Sequence, residues 1–172
     1  PPRSGQVGIG IQGQIGSLLE APGLGKEYES GAGLAVRLRY RMRYERALGL
    51  TFENQRHEIR VPEALFEGLP GRERVNVVLS GIEFYQMFGT RSRTIKMLMA
   101  GVGLAQTSGR FLNNEAFFPG DGTYVSAGFG VERFVFRSWA LDFSTRYMTL
   151  FLPDDRSHDV QVAAGFMFYA SY

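Results

Sequence analysis

From Ala32 to Tyr44 the chain alternates between apolar and polar positions. Ala32, Leu34, Val36, Leu38, Tyr40, Met42 and Tyr44 share one face, and Gly33, Ala35, Arg37, Arg39, Arg41 and Arg43 share the other. A period of two places successive side chains on opposite sides of an extended strand. Four arginines backed by an unbroken apolar face suit a strand with hydrocarbon on one side and a polar lumen on the other. Seven further segments read the same way, at about 5–16, 46–58, 74–87, 93–106, 122–136, 139–151 and 159–172. In the fourth strand-like segment, Val78, Ile82 and Phe84 turn outward and Glu83 and Tyr85 inward. The segment at 93–106 fits two registers: Lys96 inside turns Ile95, Met97 and Met99 out, and the opposite register exposes Leu98, Ala100, Val102 and Leu104.

The connections alternate in length. Short turns fall near Tyr44–Glu45, Gly89–Ser92 and Arg137–Ser138, and longer loops near 17–30, 59–73, 107–121 and 152–158. This is the layout of an all-β, eight-stranded antiparallel up-and-down transmembrane β-barrel, one domain over residues 1–172. An even strand number puts both termini at the tight-turn end.

Composition narrows the reading. The 172 residues are 44% hydrophobic and 21% charged, which argues against disorder. Mean hydropathy is −0.13 and no run of about 18 apolar residues occurs, so a transmembrane helix is not expected. Barrel strands escape that test, because only alternate residues meet lipid. Cysteine is absent, which removes disulfides and thiolate metal sites. Residues Pro1–Gly5 show neither a charged n-region nor an apolar h-region, so a signal peptide is either already removed or absent. The cations are nearly all arginine, Lys26 and Lys96 excepted. Arginine suits confined pairing with carboxylates, and without a contiguous basic tail nucleic acid is not an expected partner.

A soluble lipocalin-like barrel binding an apolar ligand would show the same alternation with the faces reversed. Three features favour lipid outside. The polar face is rich in small residues such as Gly8, Gly10, Ser126 and Gly128, which fit a narrow eight-strand interior. Tyr40, Tyr44, Trp139, Phe151 and Tyr172 fall near strand ends, as interfacial aromatic belts do. Both charge signs share the inner face: Arg37, Arg39, Arg41, Arg43 and Arg146 accompany Glu53, Glu83, Glu132 and Asp142. Buried charges are costly unless they meet one another, so these nine are read as a lumen charge network.

In this pattern the chain resembles the small outer-membrane barrels of Gram-negative bacteria, the group that includes the OmpA transmembrane domain and OmpX. The C-terminal run from Gly165 to Tyr172 is similar to the insertion signal of such barrels, with Gly165, Phe166, Phe168 and the terminal Tyr172 as its carriers, although Ala170 is smaller than usual there. The resemblance implies a closed polar lumen, an outer-membrane location with both termini periplasmic, and membrane lipid and lipopolysaccharide as surroundings.

Candidate chemistry is sparse. Two histidines, His57 and His158, cannot supply a three-histidine metal site, and neither a metal nor a cofactor is expected. His158 lies beside Asp154, Asp155, Ser157 and Asp159, the residue types of a hydrolase triad. Lipid A deacylase and acyltransferase barrels share this size, but their spacings do not match, and a polar turn over Pro153–Asp159 accounts for the residues. The loops carry Leu65, Phe66, Phe111, Phe117 and Phe118, apolar groups that either pack on one another or dock a partner such as another envelope protein. The expected role is therefore a non-enzymatic structural or adhesive anchor, or a subunit of a larger envelope complex, with a lipid A-modifying enzyme and a soluble ligand-binding barrel as alternatives.

Overall fold

A computed structural model describes residues 4–19, 28–59, 74–110, 116–117, 120–153 and 156–170. Eight long strands form the wall: β1 (Val7–Leu18), β2 (Tyr28–Arg43), β3 (Arg46–Ile59), β4 (Arg74–Phe88), β5 (Thr94–Arg110), β7 (Gly122–Phe134), β8 (Trp139–Phe151) and β9 (Arg156–Tyr169). The two-residue β6 (Ala116–Phe117) extends β5, pairing with Gly109 and Arg110. Each long strand pairs antiparallel with its neighbours in sequence, and β1 pairs with β9 from Gly8↔Tyr169 to Leu18↔Asp159. That last pairing closes the sheet and leaves no long strand with a free edge, which is how a barrel satisfies its backbone in hydrocarbon.

Three tight turns gather at one end. In the β4–β5 turn, Gly89 has a positive φ of 72°, and Ser92 N donates to Gly89 O at 2.9 Å. At the opposite end β1, β2, β5 and β9 run two to four residues past the predicted limits, because ladder pairing continues beyond the apolar band, whereas β4, β7 and β8 start or stop there as predicted.

The faces resolve without ambiguity. Ile11, Leu34 and Phe129 are 63%, 65% and 62% exposed, whereas Arg37, Arg39 and Arg41 are fully buried. Strand β4 takes the expected register, with Glu83 and Tyr85 inside. Strand β5 takes the register that exposes Leu98, Val102 and Leu104; Ile95, Met97 and Met99 are interior, packed with Ala47, Tyr85 and Met87. Lys96 is thereby outward, close to the turn, where a long stem can lie on the wall and carry its ammonium to the polar boundary.

Glycine makes room where the wall and its contents press together. A Cβ on Gly165 would lie 2.1 Å from Ile11 O and 2.6 Å from Gln12 Cα, both backbone atoms, while one on Gly13 would meet nothing within 4 Å. Gly165→Ala should therefore destabilise the barrel by about 1–3 kcal/mol as an overpacked site, and Gly13→Ala should not destabilise it. Urea midpoints of the two variants refolded in micelles check the contrast.

A charge network fills the lumen

The parity of β2 sends Arg37, Arg39 and Arg41 inward one above another, and β8 adds Arg146. Opposite them stand Glu53 from β3, Glu83 from β4, Glu132 from β7 and Asp142 from β8, all buried. Arg37 is the hub of the middle layer. Its guanidinium donates to Glu53 Oε1 at 2.5 Å and Glu83 Oε1 at 2.6 Å, to Thr51 Oγ1 at 2.9 Å and to Gln12 Oε1 at 2.6 Å. Arg146 grips both oxygens of Glu83 at 3.1 Å each, the two-pronged geometry for which a planar fork is suited. Nearer the tight turns, Glu132 accepts from Arg39 and from Arg41 at 2.5 Å each, and from the Tyr169 hydroxyl. Asp142 joins the layers, accepting from Arg39 at 3.1 Å and from Gln12 Nε2 at 2.7 Å. Aromatic faces complete the cations' surroundings: Arg39 lies 4.3 Å from the Tyr85 ring centre and Arg41 4.9 Å from that of Tyr169.

Four guanidinium groups thus meet four carboxylates, so the network carries no net charge. This balance is what makes such burial tolerable, because each ion that loses water regains hydrogen bonds. Packing above and below seals it. Met167, Tyr169 and Ala140 close the turn end, and Val77, Leu79, Tyr124, Met148 and Leu150 pack at the long-loop end. Among the described residues, both amide atoms of Gln14, Asp159 Oδ1 and Gln161 Oε1 toward the long loops, and the Nε atoms of Arg39 and Arg41 nearer the turns, have no hydrogen-bond partner.

No family model matches this sequence, and no curated protein does. Solved structures match along the whole chain. Neisserial surface protein A is 16% identical, with 98% of this chain and 99% of that one covered and a TM-score of 0.60. Ail, the attachment invasion locus protein of Yersinia pestis, is 14% identical over 96% and 99%, with a TM-score of 0.60. OprG from Pseudomonas aeruginosa is 14% identical over 99% and 98%, with a TM-score of 0.57. The fold is that of the small outer-membrane barrels.

Within this outer-membrane barrel fold one residue of the expected network stands elsewhere. Arg43 is exposed, not lumenal. The β2–β3 register slips between Arg41 and Arg43, so Arg43 pairs with Arg46 at the hairpin mouth and leaves the inward parity. Conversely, Gln12, Thr51, Gln161 and Tyr169 serve the charges as neutral partners, with Gln161 donating to Glu53 at 2.9 Å. Their parity with the inward charges was the available signal.

Asp159 lies not in a turn but in β9, buried and inward, two residues from Gln161 and so on the same face. Ser157 is likewise buried inside, whereas His158 faces outward, stacked on Tyr147 with a Tyr147 hydroxyl–Nδ1 contact of 2.8 Å. Adjacent residues of one strand point to opposite sides, so Ser157 and His158 do not form a nucleophile–base pair. The two sides of the wall also separate His158 from His57, which is buried against Gln55.

Of the insertion-signal residues, Phe166 and Phe168 face outward, Phe168 with its ring 5.0 Å from that of Trp139; Gly165 backs onto β1, and Tyr172 lies outside the described residues. Leu65, Phe66, Phe111 and Phe118 also lie outside the described residues, and Phe117 belongs to β6, paired with Gly109.

Proposed function

We propose that this chain is an outer-membrane anchor, closed along its axis, that acts through its four long loops as an adhesive or structural surface or as a subunit of a larger envelope complex. Its turn end, and with it both termini, faces the periplasm. The observation that carries this reading is the neutral Arg–Glu/Asp network across the lumen, which occupies the space a conduit would need. Eight strands leave little interior beyond what side chains fill. An adhesive role draws support from the likeness to Ail, named the attachment invasion locus protein and also solved with the heparin analogue sucrose octasulfate.

Two tests apply. Reconstituted in planar bilayers, the protein should show no steady open-channel current; sustained conductance would refute closure. Changing Phe66, Phe117 and Phe118 to serine should abolish co-purification of a partner in mild detergent while heat-modifiable migration shows an intact barrel. Unchanged co-purification counts against loop docking.

Ser157 and His158 on opposite faces weigh against the enzymatic alternative in which the two would act as nucleophile and base. Lipopolysaccharide from cells with and without the protein should carry identical acyl chains, as read by mass spectrometry of lipid A.

A further inference from the structure

The tight-turn end has a charge imbalance that the lumen does not. Arg43 and Arg46 flank the first turn, Arg91, Arg93 and Lys96 the second, and Arg133 and Arg137 the third, and every one is exposed. None of them makes an ion pair with another described residue, and Glu45 is the one exposed carboxylate among the described residues of these turns.

Part of this rim is a shaped cavity. Between the second and third turns a space of about 400 Å3 is bounded by Arg91, Arg93 and Arg137 on its polar side and by Phe134, Val135 and Phe136 on its apolar side. Its walls are tied together. Phe134 N donates to Arg93 O at 2.7 Å, joining the two turns, and Val135 N donates to Trp139 O at 3.0 Å within the third. Ser92 Oγ holds the second turn by donating to Gly89 O at 2.9 Å. The Phe134 ring is anchored below by stacking on Tyr169 at 5.5 Å.

Three like charges around one cavity repel unless an anion joins them. Guanidinium forks match the oxygens of a phosphate. The same cavity is lined by Phe136, which is 70% exposed, and Phe136 N and Val135 N both donate to the carbonyl of Trp139, whose outward ring continues the apolar surface beside the cavity. An occupant that satisfies both sides has a phosphate joined to hydrocarbon. An acidic segment of a soluble protein matches the arginines but leaves the exposed rings in water.

We propose that the cavity between the β4–β5 and β7–β8 turns binds the phosphate head group of an anionic glycerophospholipid in the leaflet on the turn side. This rests on the reading of the chain as a membrane barrel. The lipid's glycerol and acyl chains lie along Phe136 and Trp139, and its phosphate bridges Arg93 and Arg137. Such a lipid fixes the height of the barrel in the leaflet and neutralises part of the basic rim.

The test uses the whole chain in nanodiscs of phosphatidylcholine doped with phosphatidylglycerol, after heat-modifiable migration has shown a folded barrel. Native mass spectrometry then counts lipids retained on extraction with mild detergent. Wild type should retain phosphatidylglycerol over phosphatidylcholine. Arg93→Gln/Arg137→Gln should lower that retention about tenfold, the scale of one lost charge-assisted contact, and Arg43→Gln/Arg46→Gln, with the same charge removed, should leave it within about twofold. Equal losses in both pairs would mean diffuse attraction and overturn the site. Displacement of the lipid by equimolar glycerol phosphate would overturn the requirement for hydrocarbon, and stronger capture of polyglutamate than of phosphatidylglycerol would assign the rim to an acidic protein. A chain that folds but stays out of nanodiscs would instead reject the membrane reading, and this inference with it.

Discussion

Glu83→Gln should lower the stability of the barrel by about 3–5 kcal/mol, the cost of removing one partner from a buried ion pair. Glu83 accepts from two arginines, Arg37 at 2.6 Å and Arg146 at 3.1 Å, and all three side chains are shut off from water. Glutamine keeps the volume but leaves the lumen with an uncompensated positive charge. The effect depends on charge balance and not on contact number, which gives a sharper expectation for the pair. Arg146→Met together with Glu83→Gln restores neutrality, so the double variant should be more stable than Glu83→Gln alone. A denaturation midpoint in urea, followed by gel migration of the barrel in micelles, reads both. Additive losses would mean that the two residues act independently and that the network is not a unit.

The second large effect concerns the outer wall. Leu34→Arg should cost about 2–4 kcal/mol in a bilayer, whereas Ser30→Arg, on the same face of β2 but beside the long loops, should cost about 0–1 kcal/mol. Leu34 is 65% exposed and sits near the middle of the strand, the depth that the proposed membrane setting gives to hydrocarbon. The gradient with depth is the informative part. If water bathed this face, both substitutions would be exposed surface changes within about 0.5 kcal/mol of neutral. Reversible unfolding from phospholipid vesicles measures the difference.

The architecture is legible in the residues because a two-residue period leaves a strong trace. In β1, Val7, Ile9, Ile11 and Ile15 alternate with glycines and glutamines, and the structure puts the first set outside and the second inside. Strand β5 shows where the trace fades. Its two faces are both largely apolar, since Ile95, Met97 and Met99 line a dry part of the interior, so hydrophobicity alone cannot choose between them. Arg43 shows a second boundary: a one-residue slip at the hairpin mouth reverses parity, and nothing in the run of arginines marks where it occurs. Which carboxylate meets which arginine was also hidden. Arg39 and Glu132 are far apart in sequence and come from strands across the barrel, so their 2.5 Å contact depends on the stagger of the whole wall. Asp159 and Ser157 resembled loop residues because β9 extends past its apolar stretch to pair with β1 and β8.

The central claim is that hydrocarbon surrounds the leucine- and aromatic-bearing face while the charges neutralise one another inside. With no native cysteine in the chain, single cysteines at Ile11, Leu34 and Phe129, and at Ala35 and Ser144 on the inner face, can each carry a spin label without background. In lipid bilayers the first three should relax strongly with dissolved oxygen and weakly with a water-soluble nickel chelate, and the inner pair weakly with both. Strong nickel relaxation at Ile11, Leu34 and Phe129 would contradict the account.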